Sequence, residues 1–232
     1  MKKRIAVGLF CILLLCVSAL PVQAGTGEAF AVLFPPTQYY GKLKQTGERV
    51  RILEAEDGKH FILLTEEGAR KRVDWEEVLP YPVSSPALEA VDGKTVSYFA
   101  GAMGMKSDTG VLLWVDLARL RVYLLEYGDE GWSTLDAFPC TVGDAYHPTP
   151  TGEFIIDYKC TCIGKENLYL CRHAMCFYGS YMLHSVLYDW GGESIIDGRL
   201  NERASHGCIR LSPEHSRFLY HAVPVGSTVL IR

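Results

Sequence analysis

The chain has 232 residues, 48% of them hydrophobic, and a formal net charge of −4 at pH 7. That apolar share is ample for a folded core, and the mild acidity argues against nucleic acid or an anionic membrane surface as the main partner. No internal repeat or low-complexity tract is present.

The opening, MKKRIAVGLFCILLLCVSALPVQAG, joins a basic start at Lys2, Lys3 and Arg4 to an apolar run from Ile5 to Leu20. It ends with Val22 and Ala24 at the small-residue positions that a signal peptidase reads. The run is shorter than the ~20 residues that span a bilayer comfortably. Residues 1–24 are therefore expected to be a cleaved signal peptide, leaving no stable membrane span. Cleavage removes three basic and no acidic residues, which moves the charge from −4 to −7. The expected location is secreted or cell-envelope.

Residues 25–82 are punctuated as a small β unit. RVRIL and HFILL read as short strands joined by EAEDGK, in which Asp57-Gly58 is a strong hairpin signal. Glu67-Gly68 marks a second turn, and RKRVDWEEVLPYP closes the unit with Val73, Trp75 and Val78. The order of turns and the late tryptophan resemble a bacterial SH3-like domain; the alternative is a β-rich extension packed on the main domain. Residues 83–106 read as a linker with a short helix in its middle.

From residue 107 to 232 strand follows strand. VLLWVDLARLRVYLLEY predicts two strands around a turn at residues 117–120, and STLDAFPCTVG, TPTGEFIIDY and SYMLHSVLYDW predict further ones. SPEHSRFLYHAV is a short helix with Ser212 as N-cap, Pro213 at its first position and Glu214 in its first turn. PVGSTVLIR is a final strand. The expected fold is all-β: a β-sandwich or barrel-like domain with one or two short helices, preceded by a small β-barrel.

Of eight cysteines, Cys11 and Cys16 would leave with the signal peptide. Export favours disulfides. Cys160, Cys162, Cys171 and Cys176 crowd into CTCIGKENLYLCRHAMC, where bonds among them would staple an irregular excursion. Their connectivity stays open. The spacing lacks the paired C-x2-C knuckles of a zinc site, so no metal is expected. Cys140 and Cys208 are left over.

Cys208 stands in RASHGCIRL, residues 203–211. A thiol becomes a useful nucleophile as a thiolate, which requires a nearby base or cation. His206 lies two residues before it, Arg210 two after, and His184 upstream. In an extended strand His206, Cys208 and Arg210 would project from one face. Gly207 would allow close approach of a substrate, and backbone N–H groups there could hold an oxyanion. Each residue also has a plainer role: Cys208 bonded to Cys140, His184 a core histidine, His206 a donor to backbone, Arg210 a structural ion pair. His60, His147, His173, His215 and His221 carry no convergent context.

SHGCIR, residues 205–210, resembles the signature of the YkuD-type L,D-transpeptidases, which cross-link bacterial peptidoglycan. LLWVDLARLRVYLLE, FPCTVGDAYHPTPTGEFII and SPEHSRFLYHAVPVGSTVLI resemble further segments of that family in the same order, so the likeness runs from about Ser107 to Arg232. It implies Cys208 as nucleophile and His184, in MLHSVLYD, as general base and later acid. It implies that Ser205 and His206 support the loop and that the amides near Gly207 hold the oxyanion. Arg210 would contact the donor peptide, and Ser185, where many relatives carry glycine, would orient His184 or line the substrate site. Twenty residues separate His184 from Ser205, more than the usual family interval, with the extra length in DWGGESIIDGRLNER. The implied partners are donor and acceptor stem peptides of peptidoglycan, with the N-terminal module on cell-wall polymer and no cofactor. Two rivals stay open: an L,D-carboxypeptidase using water as acceptor, and a non-catalytic wall-binding protein with Cys208 in a disulfide. Cys140 lies where relatives often carry cysteine, which makes its pairing with Cys208 less attractive.

Overall fold

A computed structural model describes residues 29–30, 33–34, 37–56, 59–81 and 89–232. The expected signal peptide, the Asp57-Gly58 turn and the opening of the expected linker lie outside the described residues.

The N-terminal unit comprises β1 Tyr39–Leu43, β2 Arg49–Glu56, β3 His60–Leu64, β4 Arg70–Asp74 and β5 Val78–Pro80. These form one antiparallel sheet in the order β4-β3-β2-β1-β5. The edge strands β4 and β5 are consecutive in sequence, joined only by a 3-10 turn at Trp75–Glu77. Laid flat, four strand spacings of about 4.8 Å would exceed what such a short link reaches, so the sheet must roll. Its inside is filled by Tyr39, Val50, Ile52, Phe61, Leu63 and Val78.

Helix α1, Gly93–Ala102, follows, with Asp92 as N-cap accepting from the Thr95 amide at 3.0 Å. The C-terminal unit then runs β6 Val111–Asp116, β7 Arg121–Gly128, β8 Gly131–Pro139, β9 Val142–Gly143 and β10 Gly152–Ile155. Next come β11 Tyr158–Lys165, β12 Tyr169–Tyr178, β13 Tyr181–Ser185, β14 Leu187–Tyr188 and β15 Ile195–Asp197. It ends with β16 Arg203–Ser205, β17 Ile209–Leu211, helix α2 Pro213–Ala222 and β18 Thr228–Ile231. One sheet is ordered β10-β18-β6-β7-β8; the other is β15-β14-β12-β13-β17, with β11 on β12.

The two sheets face each other across one core. Alternation along β6 turns Leu113 and Val115 inward, toward Met175, Phe177, Leu183, Ile209 and Leu211 of the second sheet. Leu112 and Trp114, on the other face of β6, are equally buried because α1 and Phe30 and Phe34 cover that side. The Phe34 and Trp114 rings stand 4.5 Å apart. The first sheet is therefore covered on both faces, and α1, in the middle of the stretch read as a linker, is one of its layers. Ser212 caps α2 by accepting from the His215 amide at 3.1 Å, and Leu219 of α2 enters the core.

The expected irregular, disulfide-stapled excursion is instead a regular hairpin of β11 and β12, and the described cysteines are free thiols. Register gives the reason. Cys160 stands opposite Ala174, Cys162 opposite Arg172, Cys171 opposite Ile163 and Cys176 opposite Tyr158. Diagonal neighbours in a sheet lie about 7–8 Å apart, beyond the reach of an unstrained disulfide. The turn closes through Asn167, whose positive φ of 57° suits a short polar side chain.

Candidate active site

Strands β13 and β17 are parallel neighbours, pairing Leu183 with Ile209 and His184 with Arg210. Because side chains alternate, Leu183, Ile209 and Leu211 enter the core while His184 and Arg210 share the opposite face. Cys208, one residue before β17, continues that face: its side chain packs with Met182, Cys176 and Ala174. Nucleophile candidate and histidine thus occupy adjacent strands, one diagonal apart. Cys140 is buried in the core on the other side of this sheet, so its thiol and that of Cys208 are separated by the strands themselves.

His184 is 5% exposed, and its Nδ1 lies 2.6 Å from the Ser185 carbonyl oxygen. With Nδ1 donating there, Nε2 keeps the lone pair and is the proton acceptor. Burial lowers the His184 pKa to about 4, against the opposing Ser185 hydrogen bond, and the nearby Arg210 charge lowers it further. The ring is therefore neutral near pH 7. Burial likewise raises the Cys208 thiol, while the Met182 amide and Arg210 favour its thiolate. The sulfur also lies 3.9 Å from the Ser180 carbonyl. Both shifts favour the neutral forms, thiol and imidazole.

Ser185 is fully buried; its hydroxyl donates to the Val186 carbonyl and accepts from the Arg172 amide, both at 2.8 Å. Its carbonyl, not its hydroxyl, orients His184. Arg210 is 4% exposed, with Nη1 2.9 Å from Asp197 Oδ2. Its Nε is buried with no hydrogen-bond partner among the described residues. Hydrogen bonding from Arg199, against the effect of burial, and the neighbouring Arg210 charge hold the Asp197 carboxyl well below the usual range. Arg210 is thus buried on the face that carries His184 and Cys208, and Ser185 on the opposite face.

The turn before Cys208 is built by Ser205 and Gly207. Ser205 Oγ donates to the Cys208 carbonyl at 2.6 Å and accepts from the Gly207 amide at 3.2 Å. Gly207 has φ 98°, and a Cβ there would collide with the Tyr181 ring. That left-handed step breaks the strand alternation, so His206 does not share the face of Cys208 and Arg210. It turns instead to His147, ring centroids 4.2 Å apart. His147 is held by Asp144, Nδ1 to Oδ1 3.0 Å, and burial with the His147 charge lowers the His206 pKa. Sequence reasoning passed over His147 and Asp144; their place in GDAYHPTPTG, beside the turn residues, was the available signal. Thr149 clasps the same loop, donating to the Gly207 carbonyl at 2.9 Å.

Among the described residues no group of three His, Cys, Asp or Glu side chains could hold a metal ion. No described helix is long and apolar enough to cross a membrane.

Residues 110–231, more than half the chain, match the family model of the YkuD L,D-transpeptidase catalytic domain. The chain belongs to the YkuD L,D-transpeptidase family. Similar solved structures include a fused Zn-dependent amidase/peptidase/peptidoglycan-binding domain protein from Clostridium acetobutylicum, 26% identical over 60% of this chain and 59% of that one, TM-score 0.52. An L,D-transpeptidase from Stackebrandtia nassauensis is 24% identical over 55% and 58%, TM-score 0.44. An L,D-transpeptidase from Mycobacterium tuberculosis H37Rv is 16% identical over 93% and 87%, TM-score 0.40. The first two are matched over less than two thirds of their own length. Comparison with curated proteins found no match. The family is one of cell-wall transpeptidases, and the mostly β catalytic unit has its fold.

Proposed function

We propose that this YkuD domain is an exported, cysteine-dependent L,D-transpeptidase. His184 Nε2 takes the proton of Cys208 as the sulfur attacks the carbonyl of the third, L-centre residue in a donor tetrapeptide stem. The Cys208 amide at the end of the turn stabilises the oxyanion, the Gly207 amide being engaged by Ser205 Oγ. The bond to the terminal D-alanine breaks, histidinium protonates the leaving amine, and a thioester remains. The side-chain amine of a diamino acid in a neighbouring stem then attacks the thioester, giving the cross-link and returning the thiol.

The observation that carries this reading is the contact of His184 Nδ1 with the Ser185 carbonyl, 2.6 Å long, on the strand beside Cys208. It supports a base with a defined tautomer on the strand next to a thiol packed against Met182. Arg210 and Ser185 serve the reaction by biasing and orienting that pair, and Ser205 and His206 by holding the turn. The N-terminal unit, read as SH3-like, would keep the enzyme on wall polymer.

The test compares the mature protein with Cys208→Ala on isolated peptidoglycan and on tetrapeptide muropeptides. Cross-linked dimers with wild type, and a loss of at least about a thousandfold in the variant, are expected. Equal cross-link profiles would defeat the nucleophile assignment. Tripeptide alone would make water the acceptor and the enzyme an L,D-carboxypeptidase.

A further inference from the structure

The N-terminal sheet meets the catalytic unit at several places among the described residues, including Tyr178 to Glu54, and three of these contacts end on residues that grip the turn before Cys208. The Trp75 ring, in the 3-10 turn between β4 and β5, meets His147 edge-on at 6.0 Å, and His147 in turn meets His206 edge-on. Tyr39 of β1, 3% exposed, donates its hydroxyl to the Gly143 carbonyl and accepts from Arg203 Nη1, both at 3.3 Å. Gly143 is paired with Ser205, and Arg203 opens the same short strand. On the other flank Tyr181 donates its hydroxyl to the Ala55 carbonyl of β2 at 2.6 Å. Its ring occupies the space that a Cβ at Gly207 would need.

The residues 205–208 thus sit between a His147–Trp75 prop, a Tyr39–Arg203 clasp and a Tyr181–Ala55 tie. Strands β16 and β17 on either side of the turn have three residues each. Gly207 between them is the residue type with the widest backbone freedom. Local structure is thin here, and the outside contacts supply the restraint. A module serving only as a tether on wall polymer would need no aromatic side chain on the nucleophile turn.

We propose that the N-terminal β unit is a positioning part of the catalytic centre: through Trp75, Tyr39 and the Tyr181–Ala55 bond it sets the conformation of the turn that presents Cys208. This rests on Cys208 being the nucleophile, and the experiment reads the thiol directly, without substrate. The full-length protein and the variants Trp75→Ala, Trp75→Phe and Tyr181→Phe are alkylated with iodoacetamide across the pH range in which thiols titrate. Labelling is followed by mass on the tryptic peptide ASHGCIR, residues 204–210, in which Cys208 is the sole cysteine. The exposed Cys162 thiol provides the internal reference.

Trp75→Ala and Tyr181→Phe are each expected to change the Cys208 alkylation rate by about threefold to tenfold and to move its pH midpoint, the size of one lost hydrogen bond or ring contact. Cys162 stays unchanged, and Trp75→Phe returns the profile to within about twofold of wild type by restoring a ring. A Cys208 profile unchanged in both Trp75→Ala and Tyr181→Phe overturns the proposal. If Trp75→Ala loses cooperative unfolding, Tyr181→Phe, which keeps its ring against Gly207, decides alone. Wild type that cross-links no peptidoglycan while the variants still shift the thiol would sink the transpeptidase reading and leave the positioning role standing.

Discussion

His184 gains its direction from a backbone carbonyl and its neutrality from burial. A carbonyl cannot be removed by side-chain change, so the Ser185 position tolerates other residues provided the backbone holds. The pH dependence follows from the same burial. In the proposed mechanism acyl-enzyme formation needs neutral His184, so its acid limb is expected as pH falls through about 4 rather than through the ordinary 6.5. Single-turnover acylation measured against pH checks this, and a midpoint near 6.5 would refute it. The folded value lies below the unfolded one, so this burial contributes stability present above pH 6.5 and lost as pH falls from there toward 4. SHGCIR was legible as a motif. The partnership of His206 with His147 and Trp75 was not, because these three come from three separate segments and no local spacing links them.

The strands of the catalytic unit were readable where two requirements coincided: an apolar stretch and a turn residue to end it. β6, β7 and the capped helix α2 met both. The cysteine hairpin did not. Its strands carry Thr161, Arg172 and His173 among the thiols, and its turn residue, Asn167, has no glycine partner to announce it. Helix α1 was legible as a short helix, yet its burial was not, since the surface it covers is the far side of β6. At this scale Trp114 is the test. Packed in the cluster of α1, Phe30 and Phe34, it is fully buried. Trp114→Ala is expected to destabilise by about 3–5 kcal/mol, read from urea unfolding. A loss below about 1 kcal/mol would mean that α1 is a loosely held connector after all.

For the whole molecule the decisive feature is where the N-terminal unit rests. Sequence left two readings, a wall-binding module of independent fold or an extension packed on the main domain. The contacts of Tyr39, Trp75 and Ala55 place it against the catalytic turn. The two units are therefore expected to unfold together. Urea unfolding followed by far-UV circular dichroism and by tryptophan fluorescence, with reporters in both units at Trp75, Trp114 and Trp132, should give coincident transitions. Two separated transitions would show that the units are thermodynamically independent.

The sequence by itself determined the all-β class, the order of the strands of the YkuD domain, the cap of α2 and the thiol and histidine, Cys208 and His184, on which the proposed mechanism rests. These are properties of local pattern: alternation, turn chemistry and a contiguous motif. Only the tertiary structure decided that Arg210 and Ser185 are both buried, that the cysteines of β11 and β12 miss one another across the ladder, and that an aromatic prop from the N-terminal unit reaches the turn before Cys208. Each of those depends on register, or on which distant segment fills a given space. A one-residue change of register would alter them while leaving the composition of every segment the same.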